Sequence, residues 1–222
     1  MLLRELQALL NRLYDTQVDL DVHDFLVTDR RALPAAHAAA TADEQLLVRQ
    51  SDGAVDVALF LAREVLERLQ RRDPMHRLDT GNLADYWTAL EGVSHFHYLA
   101  WNARHDRPVA LHELEMQAEV DKYAVTLFVL GAQHSGRFPL RLHELLFART
   151  RVDGALAAHK RELYESASRY AARFCALLER RFLKRGCLRC EALVRELRAF
   201  YRMTHAPKIR HIEAARAGLA SL

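Results

Sequence analysis

Long apolar runs are missing from the sequence. None of the 222 residues belongs to a stretch of 18 uncharged apolar residues, which is about the length that a membrane-spanning helix needs. The N-terminal stretch "MLLRELQALLNRLYD" carries charges within its first turns, whereas a signal peptide has a basic start and an uncharged apolar middle. We therefore expect a cytoplasmic protein that has no membrane partner.

Cysteine and glycine are scarce. Three cysteines in a chain of this length give no disulfide framework, because that needs an even and dense set of thiols. The 8 glycines form no phosphate-binding loop, and the sequence has no nucleophile elbow and no kinase or nuclease signature. No motif therefore assigns the chain to a family.

Lysine is scarce too, with 4 Lys against 28 Arg. We interpret this bias as the codon usage of a GC-rich bacterial genome. The net charge of +3 conceals an asymmetry: residues 1–136 hold 13 basic and 21 acidic residues (−8), and residues 137–222 hold 19 basic and 8 acidic ones (+11). A basic C-terminal part indicates an acidic partner, which is nucleic acid, another protein or the chain's own acidic half.

The N-terminal part mixes helix and strand signals. Leucines at a spacing of three to four residues predict a helix at 2–15, and the alternation of Val18, Leu20 and Val22 with aspartates predicts a short strand. The stretch 30–43 has no apolar period and is predicted to be a loop. These residues belong to a predicted small α+β unit of two or three strands and two helices.

The clearest strand signal surrounds the dipeptide Asp52-Gly53, a pair that favours tight hairpin turns. Apolar residues alternate on its C-terminal side, so residues 45–61 are predicted to form a β-hairpin. A helix follows, and the turn-rich stretch 71–82 ends the unit. We therefore place a small α+β unit at 1–72 and a helical bundle at 73–222, with one continuous domain as the alternative.

The remainder of the chain is predicted to be almost entirely helical, beginning after Asn82, a good N-cap residue. The fold class is therefore mainly α (α+β), with an N-terminal hairpin unit and a larger C-terminal multi-helix bundle. Glycine and proline residues separate the helices. The predicted helices are 83–104, 110–133, 140–148, 155–185, 188–204 and 207–219.

The stretch "LEGVSHFHYLAW" places a carboxylate and an imidazole in an apolar helix. Glu91 and His95 are four residues apart and therefore share a face of this helix. Large aromatic residues occur on both sides of it, and a helix that is hydrophobic all round is surrounded by protein. We therefore expect both side chains to be at least half buried.

The next predicted helix, 110–133, carries Glu115, Glu119 and Lys122 on one face. The connection "NARHDRP" between it and the helix 83–104 is short, and two helices that are joined in this way pack antiparallel. This packing brings the three residues towards the carboxylate and the imidazole of the preceding helix.

Three interpretations of this group stay open: a polar network, a metal or catalytic site, and a face that binds a partner. In the first, Glu91 pairs with His95, and Lys122 with Glu119, in a buried polar network that needs no cofactor. In the second, Glu91, His95, Glu115 and Glu119 hold a divalent Zn, Mn or Fe ion. The spacing differs from that of di-iron bundles, which use Glu-x-x-His twice, because here Glu-x-x-x-His occurs once.

Cys187 and Cys190 precede His205 and His211 in an order that matches a two-Cys, two-His zinc pattern. A straight helix between Cys190 and His205 would separate them by roughly 22 Å, so all four cannot bind one ion. We interpret these cysteines, and Cys175 on the preceding helix, as ordinary packing residues, with a redox role of the Cys-x-x-Cys pair as the alternative.

The C-terminal helices carry a basic stripe opposite their apolar face. We predict that this stripe is either a solvated face or a contact surface for a polyanion. Few short polar side chains accompany the arginines, so the pattern favours sequence-independent phosphate contacts over base-specific recognition. The candidate residues for polyanion contact are Arg195, Arg198, Arg202, Lys208 and Arg210.

Three functions follow from these features. The first is a non-catalytic interaction or accessory protein whose partner is an acidic protein surface or a second copy of the chain. The second is a metal-dependent enzyme with a carboxylate and histidine site between the helices 83–104 and 110–133. The third is a sequence-independent nucleic-acid-binding module that uses the basic C-terminal helices.

Overall fold

Helices dominate the structure, a computed structural model, and confirm the predicted mainly α (α+β) fold class. The described residues are 1–38, 41–51, 54–135, 141–148, 158–183 and 191–220. A π-helical stretch, Glu179–Leu183, continues α7. The α-helices of the described residues are α1 (Leu2–Tyr14), α2 (Ala35–Ala38), α3 (Arg63–Arg71), α4 (Leu83–Ala103), α5 (Leu111–Gln133), α6 (Leu142–Phe147), α7 (Ala158–Leu178), α8 (Glu191–Arg202) and α9 (His205–Ala220).

The predicted hairpin is present. Its two strands, β2 (Glu44–Ser51) and β3 (Ala54–Leu61), pair antiparallel, with Glu44 opposite Leu61. The predicted turn residues, Asp52 and Gly53, lie outside the described residues. A third strand, β1 (Leu26–Val27), pairs parallel to β3, so the strand order is β1-β3-β2.

The predicted strand at 18–22 is wrong, because α1 takes up the hydrogen-bonding groups of this segment. The side-chain amide of Gln7 donates to the Leu20 carbonyl at 2.6 Å, and its oxygen accepts from the Val22 amide at 3.0 Å. The carbonyl and the amide that are bound in this way are no longer available to a strand partner. The chain turns through a 3₁₀ helix, Val22–Phe25, before β1 begins.

The other N-terminal predictions differ from the structure only in detail. The stretch 30–43, predicted to be a loop, contains the 3₁₀ turn Arg30–Ala32 and the single turn of α2. Asn82 is the N-cap residue of α4, as predicted, but its side chain does not cap the helix. Its amide donates instead to the carbonyls of Arg72 and Arg77, and so fixes the connection between α3 and α4.

One continuous cluster of apolar side chains forms the core, from Leu3 in α1 to Ile212 in α9. At its centre lie α4, which contacts α1, α3, β2 and β3, and α5, which contacts α4, α6 and α7. Both helices are apolar on most sides, as helices enclosed by protein must be. The division into units at 1–72 and 73–222 stays a prediction. In the described part of the chain, no helix is long and apolar enough to cross a bilayer.

Candidate metal centre

The group of polar residues predicted between two central helices comes together in the structure. Glu91 on α4 faces Lys122 on α5, with Oε2 and Nζ 2.8 Å apart. One turn further along α4, His95 faces Glu115, with Nε2 and Oε2 3.5 Å apart. The partner number falls from 122 to 115 as the α4 number rises, so the two helices run antiparallel. Glu119 completes the group, because its Oε1 accepts from Lys122 at 2.8 Å.

A sixth residue, Glu44, belongs to the group and was not found from the sequence. It is the first residue of β2, and its Oε1 lies 3.2 Å from Nδ1 of His95. This approach depends on Gly92, because a Cβ atom at that position would lie 3.0 Å from Cγ of Glu44 and 2.8 Å from Cδ1 of Leu59. The sequence did carry a weak signal, since a glycine inside a helix marks a close approach.

His95 has two nitrogens in different situations. The side chain is 4% exposed, and Nδ1 is within hydrogen-bond distance of Glu44. Nε2 is buried and has no hydrogen-bond partner among the described residues. Oε2 of Glu115 lies 3.5 Å from it, within ion-pair distance. At 3.5 Å this contact is longer than an ordinary hydrogen bond, so Nε2 is weakly satisfied.

The ligand atoms of Glu91, His95 and Glu115 all lie within 4.8 Å of one another. Carboxylate oxygen and imidazole nitrogen are the donors that Zn, Mn and Fe accept. Ligands at about 2.1 Å from an ion are at most about 4.2 Å apart. A small inward rotation of these side chains would therefore bring all three onto one ion.

Four glutamates, which we call the carboxylate cluster, surround one lysine and one histidine. The members of the carboxylate cluster are Glu44, Glu91, Glu115 and Glu119. The ammonium group of Lys122 contacts two of these four, Glu91 and Glu119. Buried negative charge in excess is unstable unless protons or a cation offset it.

The pKa shifts show how protons alone would offset this charge. Burial would lower the pKa of His95, but the carboxylates of Glu115 and Glu44 outweigh it and raise that pKa well above its ordinary value. Burial raises the pKa of Glu44. For Glu91, burial acts in the same direction, but the positive charges of Lys122 and His95 together outweigh it and lower the pKa. Without a metal ion, the imidazole therefore carries a proton between two carboxylates.

No family model matches the chain, and no curated protein or solved structure is significantly similar to it. What the site can do follows from its own side chains. The single Glu-x-x-x-His of α4 differs from the repeated Glu-x-x-His of di-iron bundles, yet it provides donors of the same chemical kind.

The two histidines of the C-terminal Cys-Cys-His-His pattern, which was predicted not to bind one ion, each have another partner in the structure. Nε2 of His205 lies 2.9 Å from Nδ1 of His112, and Nε2 of His211 lies 2.6 Å from Oε1 of Glu196. Cys187 and Cys190 lie outside the described residues. Cys175 is fully buried in the core, where burial raises the pKa of its thiol, so this residue packs as the sequence indicated.

Two of the predicted polyanion contacts bind α1 instead. Arg198 donates to the carbonyls of Leu13 and Arg12 at 2.9 and 3.0 Å, and Arg202 donates to the carbonyl of Asp15 at 3.2 Å. The last carbonyls of a helix have no partner within the helix and carry its partial negative charge. These two arginines therefore satisfy the C-terminal end of α1.

Lys208 was predicted to contact a polyanion, and this prediction is wrong, because the side chain is fully buried. Its Nζ donates to Oε1 of Gln117 at 2.5 Å and to the Tyr98 hydroxyl at 3.0 Å. Of the predicted contacts, Arg195, Arg202 and Arg210 are exposed, and of these three Arg202 also binds the end of α1. Arg195 is 70% exposed and pairs with Glu191 of its own helix.

A second buried polar network, which was not predicted from the sequence, surrounds Asp121 on α5. The hydroxyls of Tyr14 and Ser94 donate to its carboxylate, and the Gln117 amide donates at 2.7 Å. Burial raises the pKa of Asp121 to about 6 and lowers that of Lys208 to about 7. Both carboxylate oxygens of Asp121 accept hydrogen bonds, so neither oxygen is left free to bind an ion.

Proposed function

We propose that the protein binds one divalent transition-metal ion through Glu91, His95 and Glu115 and acts as a metal-dependent enzyme. The observation that carries this proposal is the imidazole of His95. Its buried Nε2 lacks a hydrogen-bond partner among the described residues and lies beside Glu115, while Nδ1 is within reach of Glu44. The donor set suits Mn, Fe or Zn.

Glu44 has the position of an outer partner of a metal-binding histidine. A histidine that binds a metal through one nitrogen usually donates its other N–H to a carboxylate, which fixes the tautomer and increases the basicity of the ligand. With Nδ1–H donating to Glu44, the lone pair of the imidazole is on Nε2, which faces Glu115. The ion would thus replace the proton that His95 otherwise carries.

The number of ligands favours catalysis over a purely structural ion. Structural zinc sites are closed by four protein ligands, whereas catalytic sites use three and leave a position for water or substrate. Glu91 is 30% exposed, so the proposed centre borders solvent on its side. A water molecule bound there would become more acidic and serve as a nucleophile.

A second candidate function is that of a non-catalytic accessory protein, which binds an acidic protein surface or a second copy of itself. The raised pKa of His95 favours it, because a protonated imidazole between Glu44 and Glu115 forms a network without an ion. The carboxylate cluster then holds α4, α5 and β2 in place, and the function lies elsewhere on the surface.

Metal binding by wild type and two variants separates these candidates. Purified chain is dialysed against Mn²⁺, Fe²⁺ or Zn²⁺, and bound metal is measured by mass spectrometry. We expect one ion per chain for wild type and for the control Glu67→Gln, whose side chain is exposed on α3. Glu115→Gln removes an anionic ligand and should weaken binding at least tenfold.

The accessory function predicts a different pattern of results. Wild type would then retain no ion under any of the three conditions. Glu115→Gln would lower the free energy of unfolding, because it leaves a buried protonated imidazole with one carboxylate fewer. The metal proposal would be abandoned on that outcome.

A further inference from the structure

The ammonium group of Lys122 lies next to the proposed metal centre, at a position that resembles the place of a second metal ion. Its Nζ lies 2.8 Å from Oε2 of Glu91 and 2.8 Å from Oε1 of Glu119. The side chain is 10% exposed, so the ammonium group is held between the two helices and not in solvent. Two carboxylates from facing helices thus converge on one positive charge.

Glu91 belongs to both positions. It provides one of the three ligand atoms that lie within 4.8 Å of one another, and it accepts from the ammonium group of Lys122. A carboxylate shared in this way has the place of a bridging ligand between two cations. Two-metal sites hold their ions about 3.5–4 Å apart, a separation that one bridging carboxylate can span.

Glu119 has one carboxylate oxygen that does not bind Lys122. Its Oε1 accepts from Lys122, but Oε2 is buried and has no hydrogen-bond partner among the described residues. An ammonium group donates one hydrogen bond along each N–H, whereas a metal ion could bind both oxygens of the same carboxylate. The second position therefore has oxygen atoms that could bind a metal ion as well as an amine.

We propose that Lys122 restricts the centre to a single metal ion, because its ammonium group is a permanently attached cation at a second metal position. This inference rests on the proposed function. If Lys122 is replaced by a neutral side chain, Glu91 bridges the two positions, Glu119 becomes the outer ligand, and a second divalent ion of the same class binds. Lys122 is therefore the residue that determines metal number.

Electrostatics support this assignment. A divalent ion beside Glu119 would offset more of the negative charge of the carboxylate cluster than the ammonium group of Lys122 does. Helix bundles with two-metal sites also take their ligands from inward-facing carboxylates of neighbouring helices. Carboxylates from α4 and α5 meet this requirement at the Lys122 position.

The experiment measures metal stoichiometry after saturation with Mn²⁺, by mass spectrometry and by electron paramagnetic resonance. Wild type should bind one ion per chain and give the spectrum of an isolated Mn²⁺. Lys122→Met should bind two and give the spectrum of a coupled pair. Lys122→Arg keeps the cation and should bind one. Lys160→Met is the matched control on the exposed face of α7 and should also bind one.

A further variant shows where the second ion binds. Lys122→Met combined with Glu119→Gln removes the outer ligand and should return the stoichiometry from two to one. If Lys122→Met does not fold, Lys122→Gln is used, because its neutral amide can still donate to Glu91 and Glu119. The expected stoichiometry of that variant is also two.

The outcomes separate this inference from the proposed function. One ion in wild type and one in both neutral Lys122 variants overturns the inference and leaves the proposed function intact. Two ions in wild type also overturn the inference, because Lys122 then does not limit metal number. No ion in wild type overturns the proposed function and the inference together.

Discussion

At the scale of single residues, His95 decides between a metal centre and a proton-holding network. The carboxylates on either side of the imidazole raise its pKa, and the same carboxylates would bind an ion that displaced the proton. Glu44 acts on both states through Nδ1, whereas Nε2 is the atom for which proton and metal compete. The effect of Glu44 on metal binding is therefore informative although Glu44 is not among the proposed ligands.

We expect Glu44→Ala to weaken metal binding about 10- to 100-fold, which is the usual effect of removing an outer carboxylate from a metal-bound histidine. Isothermal titration with Mn²⁺ or Zn²⁺ measures the change. Asp43→Ala is the matched control, since it removes the neighbouring, exposed carboxylate. Equal affinities of the two variants would show that Glu44 does not orient His95.

Lys208 offers a separate prediction about pH. Burial lowers its pKa from 10.5 in the unfolded chain to about 7 in the folded one, so between these values the unfolded state binds more protons. The free energy of unfolding then rises with pH across this window, by at most about 1.4 kcal/mol per pH unit. The stability that comes from the neutral buried amine is complete above the pKa of the unfolded chain and is lost as pH falls through about 7.

Lys208→Met removes this titrating group and keeps most of its volume. The free energy of unfolding of wild type minus that of Lys208→Met should therefore increase from pH 7 to pH 9. Urea denaturation measures both values. Lys160→Met, at an exposed position, should give a difference that does not depend on pH. A pH-independent difference for Lys208→Met as well would mean that the buried amine keeps its ordinary pKa.

At the scale of elements, the hairpin and α4 depend on each other through Gly92. A glycine inside a helix costs about 0.5–1 kcal/mol relative to alanine, so Gly92→Ala would stabilise an isolated α4. In the folded protein the new Cβ would lie 3.0 Å from Glu44 and 2.8 Å from Leu59. Either β2 and β3 move away from α4, or these two side chains change their rotamers.

We therefore expect Gly92→Ala to lower the free energy of unfolding by about 1–3 kcal/mol, as overpacking usually does, and to weaken metal binding because Glu44 is displaced. Urea denaturation and metal titration measure the two effects. A gain in stability with unchanged metal affinity would contradict the close approach of β2 to α4.

The elements that could be predicted are those whose signal is local. The helices α4 and α5 follow from long apolar periods, and the hairpin follows from alternation around a turn dipeptide. The two-residue strand β1 could not be predicted, because it depends on parallel pairing with β3 about 30 residues away. The predicted strand at 18–22 failed for the same reason, since Gln7 of another element binds its backbone.

The candidate site divides in the same way. Glu91 and His95 were found because they interrupt an apolar helix, and α5 supplied the facing residues through a short connection. Glu44 was missed because no local pattern marks a strand residue that reaches a helix 51 positions away. Lys208 was misassigned because a lysine is usually exposed. Only tertiary packing shows that Gln117 and Tyr98 accept hydrogen bonds from its ammonium group.

At the scale of the whole molecule, the charge asymmetry is partly offset within the chain. Arg198 and Arg202 extend from α8 to the last carbonyls of α1, and Arg198 also lies 3.7 Å from the Asp15 carboxylate. These contacts connect the two ends of the sequence. A basic residue in this place stabilises a helix end through hydrogen bonds and through its dipole.

We expect Arg198→Ala to lower the free energy of unfolding by about 1–2 kcal/mol, because two helix-terminal carbonyls lose a charged donor. Arg195→Ala, one turn earlier and exposed, should change it by less than about 0.5 kcal/mol. Thermal or urea unfolding of both variants measures the effects. Effects that are small and equal for both variants would mean that Arg198 does not stabilise the end of α1 and belongs to the exposed basic stripe predicted from the sequence.

The proposed function requires that one ion binds to His95 and to carboxylates. X-ray absorption spectroscopy of the Zn²⁺-loaded protein identifies the atoms around that ion. We expect one imidazole nitrogen at about 2.0–2.1 Å with oxygen as the remaining ligands. The imidazole signal should be lost in His95→Gln but not in the control His134→Gln, which changes an exposed residue. Sulfur at about 2.3 Å, or an imidazole signal that persists in His95→Gln, would contradict it.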